Sequence, residues 1–207
     1  MKRIAIAALL LAFSAMAQAE ESSKKVMISA DLFSVEVQHK GKMVKIKRKQ
    51  NPKNRINELY QRTNQGKIQP MHPFAPHAVE TIGELEMIDY LVQKSKGDKS
   101  LLIIDSRTES WVKRGTLPTS VNIPFTEFQD SSRAAEIMEN RFNVEVSDVM
   151  DFSKAKTLVM FCNGNWCGQS PAAIKKLLKL GYPAAKIKYF RGGMQSWHAL
   201  GLTVVKP

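Results

Sequence analysis

The chain has 207 residues, 31 Lys and Arg against 19 Asp and Glu, a net charge of +12, and two cysteines. This length suits one ordinary domain with an extension, and so few cysteines exclude a disulfide-dense scaffold. Eight basic residues lie between Lys40 and Arg55 without aromatic interleaving or zinc-finger spacing, so they read as a solvated face and no nucleic-acid partner is expected.

In chain order, Lys2-Arg3, the apolar run Ile4–Ala17 and Ala17-Gln18-Ala19 form a signal-peptide pattern. Cleavage after Ala19 and a periplasmic destination are expected. The run is short for a membrane span, and none is expected after cleavage. Glu20–Lys25 is polar and expected to be disordered. Phe33–Val37 and Met43–Lys47 alternate around His39-Lys40-Gly41-Lys42, which predicts a β-hairpin with a lysine-rich outer face. It contributes no strand-end residue of the sheet that follows, so it is expected to be dispensable for chemistry and to serve stability or docking. Residues 55–78 read as a Pro-containing loop, with His72 and His77 on the surface and no metal site.

Thr81-Ile82-Gly83-Glu84 reads as a capping box opening a helix through Leu85, Ile88, Leu91 and Val92 that frays near Gly97. Leu101–Ile104 is a strand buried on both faces, ending in Asp105-Ser106-Arg107. A short helix over Thr108–Arg114, a turn at Gly115–Pro118, a strand over Ser120–Pro124 and a helix over Ser131–Asn143 follow; Val144–Lys156 is ambiguous. Leu158–Phe161 is a second doubly buried strand that stops at Cys162. Ser170 is the expected N-cap and Pro171 the first residue of a helix reaching Leu180 and Gly181. Ile187–Phe190 is the last strand, and Met194 and Trp197 are core residues of the last helix. Alternating strands and helices argue an α/β parallel sheet covered on both faces, with ligands at the carboxyl ends of strands, where Asp105 and Cys162 fall.

Cys162 thus lies before a loop rich in glycine and asparagine and a helix N-terminus. Successive N–H groups turned inward there favour thiolate and bound anions. A Cys162–Cys167 staple would close only a small loop and remove little unfolded-state entropy, so a chemical role for at least one cysteine is favoured.

Residues 79–207 resemble the rhodanese family. The resemblance rests on the order of four blocks: Leu102–Arg107; Gly115–Pro118 with Val121–Pro124; the strand ending at Cys162; and Leu180-Gly181-Tyr182 with Arg191–Met194, Trp197 and Gly201. It divides the chain into residues 1–19, a signal peptide; 20–78, a basic hairpin extension and linker; and 79–207, a doubly wound domain of rhodanese type. It implies sulfurtransferase chemistry without a cofactor, with Cys162 forming a persulfide from thiosulfate or a similar sulfane-sulfur donor and a thiophilic acceptor removing the sulfur. Asn163, Gly164, Asn165, Trp166, Gly168 and Gln169 then surround the substrate, and Asp105 and Arg107 form a supporting ion pair. Trp166 walls the pocket or simply packs on the surface.

Two departures stand out. The loop between Cys162 and Ser170 is longer than is usual and has no basic residue, which weakens a phosphatase reading. Thr116 stands where histidine is common. Cys167 is either a resolving thiol, regenerated by a periplasmic thiol reductant, or inert filling beside Trp166. The rival functions are a thiol/disulfide module using Cys162 and Cys167 without sulfur turnover, and a non-catalytic scaffold whose basic extension docks a partner protein.

Overall fold

The computed structural model describes residues 25–207; the signal-peptide reading and nearly all of Glu20–Lys25 lie outside the described residues. Two antiparallel strands, β1 (Ser34–His39) and β2 (Lys42–Lys47), form the expected hairpin. The main sheet has five strands: β3 (Glu80–Ile82), β4 (Leu101–Asp105), β5 (Val121–Asn122), β6 (Thr157–Phe161) and β7 (Ile187–Phe190). All pair in parallel, in the order β3-β7-β6-β4-β5. Five α-helices connect them: α1 (Glu84–Ser95), α2 (Glu109–Val112), α3 (Ser131–Phe142), α4 (Gln169–Lys179) and α5 (Gly193–Ala199). The architecture is the expected α/β doubly wound sheet preceded by a hairpin.

The strands lack polar alternation because both faces are covered. In β4 and β6, Leu102, Ile104, Leu158 and Met160 face α3 and α4, meeting Ile137, Met138, Ile174 and Leu177. Leu101, Ile103, Val159 and Phe161 face α1 and α5, meeting Ile88, Leu91, Met194 and Trp197. Burying one such side chain contributes about 1.5–3 kcal/mol, so the two cores rather than the short helices hold the sheet.

The hairpin belongs to the second core. Val37 and Ile46 are fully buried there. The chain's last residues stitch it down. Thr203 Oγ1 lies 3.1 Å from the Lys45 carbonyl, accepts the Lys47 N–H, and Leu202 bridges to Arg48. Val205 bridges in turn to Thr116. The hairpin's inner face is thus core, in keeping with the expected role in stability.

Two caps sit elsewhere than expected. Thr81 is taken by β3, and its hydroxyl donates to the Met71 carbonyl. Gly83 is the true N-cap, and the Glu86 carboxylate accepts its N–H at 3.0 Å. Likewise α4 begins at Gln169 with Gly168 as N-cap, which places Ser170 inside the first turn. The ambiguous stretch Val144–Lys156 closes through reciprocal Glu145–Asp151 backbone hydrogen bonds of 3.1 and 2.9 Å. His72 and His77 are exposed, as expected.

Candidate active site

Strand β6 lies between β4 and β7, so Cys162 emerges from the middle of the sheet's carboxyl edge. The loop it starts is clamped by α5. Met194 N–H donates to the Cys162 carbonyl at 3.0 Å and Gln195 N–H to the Asn163 carbonyl at 2.8 Å. This approach requires glycine at 193, where φ is +54° and any Cβ would overlap the Cys162 carbonyl oxygen. Gly164 is packed against Gln195, whose Oε1 also accepts the Trp166 indole N–H at 2.9 Å. Trp166 is therefore a half-buried anchor of the loop on α5, which favours its packing reading.

Both thiols are free and buried, with Cys162 1% and Cys167 4% exposed. The Cys162 thiol donates to the Cys167 carbonyl at 3.6 Å, and the Cys167 thiol to Gln169 Oε1 at 3.8 Å. Their environments differ. Burial pushes the Cys162 thiol up, the neighbouring Cys167 sulfur adds to this, and the N–H and hydroxyl of Ser170 pull against it. Cys167 is lowered to about 7, first by the neighbouring Cys162 thiol, then by the N–H groups of Gln169 and Asn163 and the charge of Arg107. The expectation that the loop N–H groups all converge on Cys162 is thus corrected. Asn163 and Gln169 serve Cys167, the Cys167 N–H is used by the Gly164 carbonyl at 2.9 Å, and the Cys167 carbonyl lies 3.6 Å from the Cys162 sulfur. The loop is long enough to carry a second sulfur, and the donors are divided between the two. Ser170, read from sequence as a cap, is instead fully buried beside Cys162, and its hydroxyl has no hydrogen-bond partner.

Asp105 and Arg107 form the expected ion pair, fully buried. It is bidentate, at 2.8 and 2.6 Å, and Arg107 also donates to the Gly115 carbonyl at 2.7 Å. Thr116 donates to the same carboxylate at 2.7 Å, so it supports the pair rather than facing substrate. The remaining guanidinium nitrogen reaches Asn163 Oδ1 at 3.4 Å and Tyr60 Oη at 3.2 Å. Asn165 and Gly168 are exposed.

Tyr60 is the residue that sequence reasoning missed. It comes from the stretch read as linker, is 3% exposed, and lies 3.4 Å from Asn163 Oδ1. It stacks on His198 at 4.9 Å, and burial pushes its hydroxyl up to about 12. The only signal was an isolated aromatic within an otherwise polar, proline-containing stretch.

A rhodanese-like domain model matches residues 88–200. The chain belongs to the rhodanese-like family. It is 28% identical over 120 residues to a Schizosaccharomyces pombe protein named "Putative thiosulfate sulfurtransferase, mitochondrial", covering 56% of this chain and 77% of that one. Among solved structures it is similar to the Bacillus halodurans protein BH2092, at 20% identity and a TM-score of 0.44, covering 61% and 77% of the two chains. It is also similar to the Saccharomyces cerevisiae single-domain sulfurtransferase RDL2, at 18% identity and a TM-score of 0.42, covering 62% and 95%. The match covers β4 to β7 and the loop carrying Cys162 and Cys167; the extension from Lys25 to Val79 lies outside the matched residues.

Proposed function

We propose that the protein is an exported sulfurtransferase that works in the periplasm, with Cys162 as the persulfide-forming cysteine. The observation that carries this is the buried free thiol of Cys162 at the carboxyl end of the central strand, with the free thiol of Cys167 in the same loop and the Cys167 carbonyl 3.6 Å from the Cys162 sulfur. Export is supported by the N-terminal basic, apolar and Ala-x-Ala sequence. Thiosulfate or a related sulfane-sulfur anion is the donor class, in keeping with the name of the S. pombe relative.

The divided donors give each cysteine a role. The Cys167 thiolate accepts the Cys162 proton as the Cys162 sulfur attacks the donor's outer sulfur. A Cys162 S–S bond forms, the donor's S–S bond breaks, and sulfite leaves with the electron pair. Ser170 N–H and hydroxyl stabilise charge on the Cys162 side. A thiophilic acceptor then removes the outer sulfur. Asp105 and Arg107 hold the loop's first residue through Asn163 and do not react.

The close contact of Cys162 with Cys167, sulfur to carbonyl at 3.6 Å, also favours a second outcome. The Cys167 thiolate attacks Cys162 Sγ of the persulfide, hydrosulfide leaves, and a Cys162–Cys167 disulfide remains. Two equivalents of an external thiol then restore the pair. A thiol/disulfide module without sulfur turnover is the alternative that rests on the same contact. Intact-mass analysis after thiosulfate treatment separates them. A one-sulfur adduct is expected on the full chain, none on Cys162→Ser, and a persistent adduct on Cys167→Ala. An adduct retained by Cys162→Ser overturns the assignment, and oxidation without any adduct favours the redox module.

A further inference from the structure

The segment Asn57–Gln69 crosses the outer face of the cysteine loop. Its first anchor is Tyr60, inserted between Asn163, Arg107 and His198, with the Tyr60 carbonyl accepting Gln195 Nε2 at 3.2 Å. Its second anchor is Gln69. The Gln69 N–H donates to the Asn165 carbonyl at 2.7 Å, and Arg191 donates two N–H groups to the Gln69 carbonyl at 2.9 and 2.7 Å. Between the anchors Gly66 presses on Trp166. Its φ is +54°, and a Cβ there would overlap the Trp166 carbonyl oxygen. Most of the intervening residues are exposed, Ile68 by 82%, and have no core to hold them.

This is the composition of a segment that opens locally: two anchors, few buried apolar contacts and an exposed middle. The loop it crosses carries two thiols with almost no exposed surface. A reagent must reach a sulfur along the axis of the bond that forms, and a bulky thiol needs far more clearance than a small anion.

We propose that Asn57–Gln69 is a strap that gates the cysteine loop by size, with Tyr60 as its pin, so that the extension determines which reactants meet Cys162 and Cys167. Partial opening admits a small anion; a protein thiol reaches the pair only when the strap lifts from Trp166 and Asn165. The gate concerns access alone and holds whether the pair carries sulfane sulfur or cycles as a disulfide, so its test needs no turnover.

The reduced full chain is labelled with iodoacetamide and, separately, with a maleimide bearing a long polyethylene glycol chain. Each rate is divided by that reagent's rate on the denatured chain. In the wild type the bulky reagent should be suppressed on the order of ten-fold more than the small one. Gly66→Ala cannot seat on Trp166, yet the residue is exposed and touches no core. It should raise the bulky rate on the order of ten-fold and narrow the gap between reagents, with the thermal midpoint unchanged. Tyr60→Ala should raise the bulky rate further, with a lower thermal midpoint because it empties a buried position. Equal suppression of both reagents in the wild type would overturn the gate. So would an unchanged bulky rate in Gly66→Ala, or an acceleration that matches the global unfolding rate followed by circular dichroism.

Discussion

Hairpin and strap come from the same extension but are held by opposite means. The hairpin, β1 and β2, turns Val37 and Ile46 into the core beside α1 and exposes its lysines. The strap buries one tyrosine and relies on hydrogen bonds to the cysteine loop and to Arg191. Apolar area removed from water is expensive to re-expose, whereas a hydrogen bond returned to solvent finds water and costs little net. One half of the extension is therefore part of the fold's stability, and the other is a movable part of the site.

The largest expected effect is on the hairpin. Ile46→Ala should destabilise the protein by about 2–5 kcal/mol, the range for emptying a well-packed aliphatic position, measured by denaturant unfolding. At pH and temperature where it stays folded, its cysteine labelling should match the wild type. Faster labelling would mean that hairpin and strap open together and would break the comparison.

Next is the pH profile of persulfide formation, which reports only on the strap's side of the molecule. The reactive ion is the deprotonated form, so the rate should rise with pH and level off above an inflection near 7, set by Cys167. Ile46→Ala should leave that inflection in place. Cys167→Ala removes the neighbour that ionises first, leaving Cys162 with its thiol raised by burial, so the inflection should move to higher pH. At pH 7 the rate should fall on the order of ten-fold or more, since each unit of displacement is one decade of thiolate. An unmoved inflection would show that Cys162 titrates independently.

Tyr60→Phe removes only the hydroxyl that meets Asn163 and Arg107. A loss of about 0.5–1.5 kcal/mol is expected, with a measurable gain in thiol labelling, which sharpens the contrast because so small a change should still be felt at the site. Smallest is Lys45→Ala on the outer face of β2, which breaks an exposed 3.4 Å pair with Glu36. Its effect on the unfolding midpoint should stay within about 0.5 kcal/mol.

The sheet was legible because doubly buried strands leave unbroken apolar runs, as Leu101–Ile104 and Leu158–Phe161 do. The hairpin was legible from its alternation, but its place was not, since alternation says that a face is buried without saying against what. Both caps were misplaced by two residues: Thr81 is drawn into β3, where its hydroxyl donates to Met71, and Ser170 falls inside the first turn of α4 after Gly168. Cys162 and Cys167 were visible as a pair, but the division of N–H groups between them depends on the loop's path. Tyr60 was the least legible. Its partners Arg107 and Asn163 lie 47 and 103 residues away, and no local period records such a contact.

The seam that stitches the hairpin has a further consequence, in the order of events during folding. Lys45 and Thr203 are 158 residues apart, so β1 and β2 gain that seam only when the two ends of the span meet. Closing so long a loop is entropically slow, and contacts of this span mark slow-folding topologies. Val37 and Ile46 pack with α1, which is far nearer along the chain. During refolding the hairpin's own amides should gain protection from hydrogen exchange before the Lys47 N–H, which donates to Thr203.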